Sequence, residues 1–335
     1  MSDPGSSTLS LVSHTNVGKT TLARTLLRRD VGEVRDEAHV TETSEAYELI
    51  GAGAARLRLR DTPGLGDTAR LLKRLRNEGN PLGWLLAQVW DRFANRPLWS
   101  TQAAIRATRD DADVVLYLVN AAEAPEDAGY VRHEFDLLAW VNRPVMILLN
   151  QTGLARPHGE PGPGVDVTRA LEARWQRYAA PWAIVRDILS LDAFTRCWVH
   201  EGVLFERLVP LLPEAKRPAM RACLAAWNAR NHTVFRGSTT TMAAYLARLA
   251  ADREPLVARA GLGGLGEGLN FRGRARAMAR LRARLETATR RLVDELIAVH
   301  GLEGHSTVEL RQKLQDFSIT GTSWLTPTRG LRWEA

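Results

Sequence analysis

The chain has 335 residues, 45% of them hydrophobic, which is enough for two folded domains and excludes disorder throughout. Its longest apolar runs are strand-sized and its first residues lack a leader pattern, so we expect no membrane span and a cytoplasmic location, with attachment to the inner membrane face as a variant. The formal net charge of +7 favours an anionic partner, and the alternative is an arginine-rich face in contact with water.

The first predicted elements are an apolar strand at 9–12, a loop at 13–20 with the sequence SHTNVGKT, and a helix at 21–28. Such a loop at a helix N-terminus aims backbone N–H groups at a phosphate chain, which predicts a nucleoside triphosphate site. Gly18 permits close approach, Lys19 faces the β- and γ-phosphates, and Thr20 offers a hydroxyl oxygen to Mg²⁺. The predicted nucleotide-binding residues of this loop are Asn16, Val17, Gly18, Lys19, Thr20 and Thr21.

A second motif, Asp61-Thr62-Pro63-Gly64, follows a strand predicted at 57–60. A carboxylate at the end of a strand suits a place beside Mg²⁺, so Asp61 is predicted to serve the metal. The Gly64 N–H is predicted to sense the γ-phosphate, so that hydrolysis releases the segment that follows it. Taken alone, these four residues are also typical of a simple turn.

The loop SHTNVGKTTL and the downstream DTPG resemble the Era/TrmE-like branch of the bacterial P-loop GTPases (TRAFAC class) over residues 8 to about 190. The resemblance implies a mostly parallel α/β sheet with flanking helices, GTP and GDP as ligands, Mg²⁺-dependent hydrolysis of GTP, and a molecular switch. It also implies a threonine that closes over magnesium, for which Thr41 is favoured over Thr43. The predicted catalytic residues are Lys19, Thr41 and Gly64, and the predicted metal residues are Thr20, Thr41 and Asp61.

The guanine-reading motif of the resembled family is Asn-Lys-x-Asp after the fifth strand, and here the strand at 145–149 leads into Asn-Gln-Thr-Gly. Asn150 matches and is predicted to lie by the base, with Gln151 beside it, or else to cap a turn. The missing carboxylate would accept two hydrogen bonds from guanine, so an ATP-using P-loop NTPase stays an alternative. Asp192, after a strand predicted at 183–189, is the candidate that restores guanine recognition.

Two further positions concern hydrolysis. Leu65 stands where many Ras-type GTPases have a water-orienting glutamine, so we expect slow turnover. Asn16 matches an asparagine that helps to hold a monovalent cation in the potassium-stimulated members of the branch, which implies stimulation by K⁺. The alternatives are that Asn16 only hydrogen-bonds within its loop and that the chain is a nucleotide-gated scaffold with little hydrolysis.

The rest of the chain is predicted to be helical. We divide it into a GTPase domain, 1–192, with a tryptophan-rich helical insertion at about 66–111, and a basic helical domain, 193–335. The insertion either reports the nucleotide state or simply packs on the sheet. Helices are predicted at 193–212, 218–231, 239–252 and 272–300, with a glycine-rich hinge at 261–268.

The last predicted helix carries many arginines along an apolar stripe. This pattern favours an anionic partner (RNA, the ribosome or an acidic membrane surface) or a docking protein, and the alternative is a packed helix with its arginines in water. A nucleotide-dependent homodimer is the remaining partner considered.

Overall fold

The computed structural model describes residues 3–14, 17–27, 45–66, 68–75, 79–87, 96–150, 165–191, 198–254 and 266–301. The chain divides into two compact units, Met1–Arg230 and Asn231–Ala335. The domain boundary predicted after residue 192 stays a prediction about how the chain is organised.

The first unit is built on a six-stranded sheet in the order β2-β3-β1-β4-β5-β6. Its strands are β1 (Ser6–Ser13), β2 (Glu45–Ala52), β3 (Ala55–Asp61), β4 (Val114–Asn120), β5 (Val145–Asn150) and β6 (Val185–Ser190). β2 runs antiparallel to β3, and every other neighbouring pair is parallel. The predicted α/β class with a mostly parallel sheet is confirmed, and the architecture is consistent with a P-loop GTPase fold.

Seven helices belong wholly to the described part of the first unit: α1 (Lys19–Leu27), α2 (Thr68–Leu75), α3 (Pro81–Ala87), α4 (Arg96–Asp111), α5 (Gly129–Val141), α6 (Val165–Ala179) and α7 (Trp198–Leu208). The described residues between 68 and 111 are thus largely helical. That this region is an insertion into the nucleotide domain stays a prediction. Two 3-10 turns, Val209–Leu211 and Glu214–Lys216, lead from α7 into α8 (Arg217–Ala251).

Helices cover both faces of the sheet, and alternate residues of the central strands enter two different cores. In β4, Leu116 lies in the first core, whereas Val115 and Tyr117 lie in the second. The first core also receives Phe205 of α7 and Trp227 of α8, whose rings meet edge to face. Strands covered on both faces read as continuous apolar runs, which is why 114–119 and 145–149 are recognisable in the sequence.

The structure corrects three predicted helix boundaries. Helices predicted at 218–231 and 239–252 form the single helix α8, in which Gly237 is a packing position: a Cβ there would lie 3.1 Å from Val299 Cγ1. The helix predicted at 193–212 gives way to a 3-10 turn after Leu208, because Pro210 lacks the N–H that an α-helix needs. The final helix, α9 (Gly266–His300), begins inside the run predicted as a hinge.

In the second unit, the end of α8 pairs with α9 in antiparallel order. Tyr245 hydrogen-bonds Thr289 at 2.9 Å, and Ser238 meets His300 at 3.1 Å. Arg284 bridges Asp252 and Glu254 at 2.9 and 2.7 Å. Within the described ranges, no helix is long and apolar enough to cross a membrane.

Candidate nucleotide-binding site

The predicted phosphate-binding loop, at 13–20, connects the carboxyl end of β1 to α1, and the end of β5 packs against it. Gly18 has a φ of +96°, and a Cβ at this position would lie 2.9 Å from Asn150 Nδ2. Asn150 is fully buried and donates a hydrogen bond from Nδ2 to the Val17 carbonyl at 2.9 Å. Any side chain at position 18 would therefore be strained and would displace Asn150. Residues that are 133 positions apart in the sequence thus form one structure.

Lys19 is buried inside this loop. Its Nζ donates to Ser13 Oγ at 3.0 Å and lies 3.5 Å from the His14 carbonyl oxygen. Burial lowers the pKa of Lys19, and the charges of Asp61 and Glu134 oppose that change. Ser13, which replaces the first glycine of the motif, therefore provides an oxygen that holds the ammonium group.

Thr20 and Asp61 come together from the start of α1 and the end of β3. Thr20 Oγ1 donates to Asp61 Oδ2 at 2.9 Å, and Asp61 is 3% exposed. The parallel pairing of β1 with β3 places Asp61 opposite Leu11, whose carbonyl accepts a hydrogen bond from Thr62 Oγ1 at 2.6 Å. A hydroxyl and a carboxylate side by side are hard oxygen donors that fit Mg²⁺.

Hydrogen bonds to two different parts of the fold hold the segment after β3. Leu65 donates its N–H to the Ser13 carbonyl at 2.9 Å, and its side chain is fully buried in the second core. The next residue, Gly66, donates its N–H to Thr101 Oγ1 at 3.0 Å, and the same hydroxyl lies 2.9 Å from the carbonyl oxygens of both Gly66 and Pro97, which share its single proton. Gly64 is buried between these anchors and the end of β3.

Thr101 belongs to α4, and two other side chains of α4 donate hydrogen bonds to carbonyl groups of α3. Gln102 Nε2 donates to the Leu85 carbonyl at 2.7 Å, and Arg106 donates to the Leu86 carbonyl at 2.8 Å. These bonds satisfy carbonyl groups in the last turn of α3 that have no partner within the helix. The insertion is therefore linked, through Thr101, to the segment that follows the DTPG motif.

A buried carboxylate of α5 also reaches the loop. Glu134 is fully buried, with Oε1 2.8 Å from His14 Nδ1 and Oε2 accepting a hydrogen bond from Tyr117 OH at 2.6 Å. The His14 ring stacks on the Tyr130 ring, with centroids 4.3 Å apart. Burial raises the pKa of Glu134, although its hydrogen bond with His14 opposes that shift.

Sequence reasoning misses both Glu134 and Thr101. Neither residue belongs to a motif, and Glu134 does not stand out in α5, which also carries Arg132, His133 and Asp136. The structure brings together Val17, Gly18, Lys19, Thr20, Asp61, Gly64 and Asn150 at the carboxyl edge of the sheet, with Thr21 in the first turn of α1. The predicted residues Asn16, Thr41, Thr43, Gln151 and Asp192 lie outside the described residues, so their roles stay predictions.

Comparisons with known proteins bear on the same region. Residues 8–151 match a family model described as a 50S ribosome-binding GTPase. No curated protein matches the chain.

Several solved structures are similar to part of this chain. A variant of Era from Aquifex aeolicus bound to GDP and AlF4⁻ is 18% identical, with 63% of this chain and 58% of that chain covered and a TM-score of 0.43. Era in complex with MgGDPNP and nucleotides 1506–1542 of 16S ribosomal RNA gives the same identity and coverage and a TM-score of 0.44. A bacterial selenocysteine-specific elongation factor is 13% identical over 61% of this chain and 27% of its own, with a TM-score of 0.36. The chain thus spans less than two thirds of each of these proteins.

Proposed function

We propose that the protein is a Mg²⁺-dependent GTPase of the Era/TrmE-like branch, which hydrolyses GTP to GDP and phosphate and acts as a molecular switch. One observation carries this proposal: a buried lysine, the Thr20–Asp61 pair and the contact of Asn150 with Val17 converge around a single loop at the carboxyl edge of the sheet. Ligands of open α/β sheets bind at this edge. The family match over residues 8–151 supports guanine nucleotide as the ligand.

The chemistry assigned to these residues is charge stabilisation and positioning. Lys19 exchanges its contacts with Ser13 and His14 for the β- and γ-phosphate oxygens, which accept hydrogen bonds from an ammonium more strongly than neutral oxygens do. Thr20 and Asp61 hold Mg²⁺ directly or through water, with Thr41 as the proposed third residue. When bound, Mg²⁺ neutralises the charge that develops on the phosphate oxygens. To the Gly64 N–H we assign the role of sensing the γ-phosphate.

Slow intrinsic hydrolysis is part of the proposal. The Leu65 side chain is fully buried in the second core, so this position offers no group that could orient the attacking water. We assign the compensating charge to K⁺ held with the help of Asn16. The burial of Leu65 equally favours a second function, a nucleotide-gated scaffold with little hydrolysis, and the measured turnover separates the two.

Base selection is assigned to the end of β5. Asn150 holds the loop through the Val17 carbonyl. To Asn150, together with Gln151, we assign the contact with the base. Because the usual carboxylate is absent, we assign guanine recognition to Asp192. Equal binding of ATP and GTP would mean that this recognition is lost.

The proposed partner is an RNA-bearing surface such as the ribosome. The net charge of +7 and the description of the matching family as ribosome-binding support this choice. On α9, Arg284 is engaged with Asp252 and Glu254, whereas Arg274 and Arg282 are exposed and form no ion pair with any described residue. An acidic membrane surface or a second copy of the chain would be the alternative result of a binding assay.

The deciding experiment measures phosphate release from GTP by the purified chain in Mg²⁺, in K⁺ and separately in Na⁺, together with calorimetric titrations of GTP, GDP and ATP. We expect binding of GTP and GDP but not ATP, and slow turnover that is faster in K⁺. Equal rates in the two salts would remove the role given to Asn16. Tight GTP binding with negligible turnover in both salts would favour the scaffold.

A further inference from the structure

We propose that Glu134 is a positioning residue of the phosphate loop: through His14, it holds the loop in the conformation that receives the triphosphate. The inference rests on the function proposed above. It assigns a role to a residue of α5 that lies 120 positions away from its partner in the loop.

The Glu134 carboxyl group is fixed on both sides. Tyr117, a fully buried residue of β4, donates to Oε2 at 2.6 Å, which anchors the group to the centre of the sheet. The other oxygen meets His14 Nδ1 at 2.8 Å. Since the Tyr130 ring stacks on the imidazole at 4.3 Å, His14 is held at its edge and on its face by two residues of the same helix.

Holding His14 also sets the position of the oxygens that surround Lys19. The His14 carbonyl oxygen lies 3.5 Å from Lys19 Nζ and accepts a hydrogen bond from Ser13 Oγ, which itself contacts Nζ at 3.0 Å. Ser13 also binds the Leu65 N–H through its carbonyl. A serine in place of the usual glycine leaves less backbone freedom, but it does not fix the loop. The imidazole attaches the loop to α5, in addition to the contacts of Leu65 with Ser13 and of Asn150 with Val17.

A purely structural role explains Glu134 poorly. Burial raises the pKa of this carboxyl group, so its ionised form costs stability, and His14 and Lys19 only partly offset that cost. Its neighbours on α5, Phe135, Leu137 and Leu138, belong to the second core, where an apolar side chain would pack. Buried residues whose pKa is strongly perturbed cluster at functional sites.

The test compares six forms of the chain: the unmodified protein, Glu134→Leu, Glu134→Gln, His14→Ala, the double variant His14→Ala/Glu134→Leu, and Asp136→Asn as the matched control. Asp136 lies on the same helix and accepts a hydrogen bond from Trp182 Nε1 at 2.8 Å, away from the loop. For each form we would measure the dissociation constants of fluorescent GDP and GTP analogues, the kcat and KM for GTP, and the unfolding temperature.

We expect Glu134→Leu and His14→Ala each to weaken nucleotide affinity about tenfold, the effect of losing one charge-assisted hydrogen bond. The double variant should be no weaker than either single variant, because both changes break the same attachment. Glu134→Gln keeps the shape and an acceptor oxygen, so it should lose only about threefold. Asp136→Asn should lower the unfolding temperature and leave affinity unchanged.

Three results would overturn the inference. Affinity in Glu134→Gln and His14→Ala equal to that of the unmodified chain would show that the attachment does not position the loop, and these two variants decide the matter even if Glu134→Leu does not fold. Losses that multiply in the double variant would mean that the two residues act separately. Absence of nucleotide binding by the unmodified chain would refute the proposed function itself, and this inference with it.

Discussion

Two buried lysines lie at opposite edges of the same sheet, and their surroundings differ. Lys216 Nζ donates to both oxygens of Asp113, at 2.8 and 2.7 Å, next to the amino end of β4. Lys19, at the carboxyl end of β1, contacts a hydroxyl and a carbonyl oxygen and forms no ion pair among the residues described. A lysine matched by a buried carboxylate is neutralised within the fold, whereas one that is held by neutral oxygens can be transferred to an anionic ligand. The amino edge of the sheet therefore holds a matched ion pair, whereas the carboxyl edge holds a lysine that is available for the proposed ligand.

Replacing Lys19 should give the largest functional effect. We expect Lys19→Ala to lower GTP hydrolysis by at least about a hundredfold, because a charge-stabilising group is lost from the transition state. The unfolding temperature should not fall, since burial lowers the pKa of Lys19 and its charged form therefore costs stability in the folded protein. Measurements of phosphate release and of thermal unfolding on the same preparation test both expectations. Hydrolysis at the unmodified rate would exclude the assigned role.

Replacing Lys216 should have the opposite profile. Lys216→Ala leaves the Asp113 carboxylate buried and unmatched, so we expect the free energy of unfolding to fall by about 3 kcal/mol. Nucleotide affinity should stay the same, because this edge is remote from the loop. Urea denaturation and a GDP titration measure the two quantities.

The double variant Asp113→Asn/Lys216→Met is the control for this prediction. It removes both charges and keeps a side chain that can accept from the Thr8 N–H, which bonds Asp113 Oδ2 at 2.9 Å. Stability should therefore largely return. If Lys216→Ala weakened nucleotide binding instead, the conclusion that Lys216 contributes only to stability would be wrong.

A smaller effect is expected at the link between the ligand edge and the insertion. Thr101→Val removes the hydroxyl that bonds both backbone groups of Gly66, so the segment after the DTPG motif loses its attachment to α4. We expect GTP hydrolysis to fall about fivefold, in line with the loss of one or two buried hydrogen bonds. Hydrogen exchange of α2 and α3, compared between GDP and a GTP analogue, should differ less in the variant than in the unmodified chain.

Thr108→Val provides the matched control on the same helix. Thr108 Oγ1 donates to the Ala104 carbonyl at 2.7 Å, inside the helix and away from Gly66. It should leave hydrolysis and the exchange difference unchanged. Equal effects of the two variants would assign Thr101 a packing role only.

The residues that the sequence predicts belong to motifs of consecutive residues. The residues that it misses depend on contacts between distant parts of the chain. Lys19 and Thr20 are recognisable because a phosphate-binding loop is built from consecutive residues, and Asp61 because it ends a strand. Glu134 meets His14 only after β4 and α5 have packed beside β1, and Thr101 meets Gly66 only through the fold of the insertion. No local pattern encodes such contacts, since they depend on tertiary packing.

The same reason applies to the fold. The buried parallel strands are predictable because they are uniformly apolar over five or more residues. The continuity of α8 is not, because Gly237 reads as a helix breaker until its close approach to Val299 is known. The assignments to Asn16, Thr41 and Gln151 rest on the motifs alone.

The smallest predicted effect is on the pH dependence of stability. It tests whether ionised Glu134 destabilises the folded protein. Burial raises its pKa in the folded protein above the ordinary 4.5, which the unfolded chain retains. Between these two values the folded state binds more protons than the unfolded state, so the free energy of unfolding contributed by Glu134 falls as pH rises. Glu134→Gln does not titrate and lacks this fall.

We therefore expect the stability of Glu134→Gln relative to the unmodified chain to increase from about pH 4 upwards and to level off above the folded-state pKa. His14, Tyr117 and Lys19 lower the pKa of the carboxyl group and so favour its ionised form, which keeps the increase small. Urea denaturation without nucleotide, at a series of pH values, measures the difference. A difference that stays flat or decreases would mean that Glu134 is stabilised as an ion. In that case destabilisation by ionised Glu134 could not support a functional role for this residue. The proposed role of Glu134 would then rest on nucleotide affinity alone.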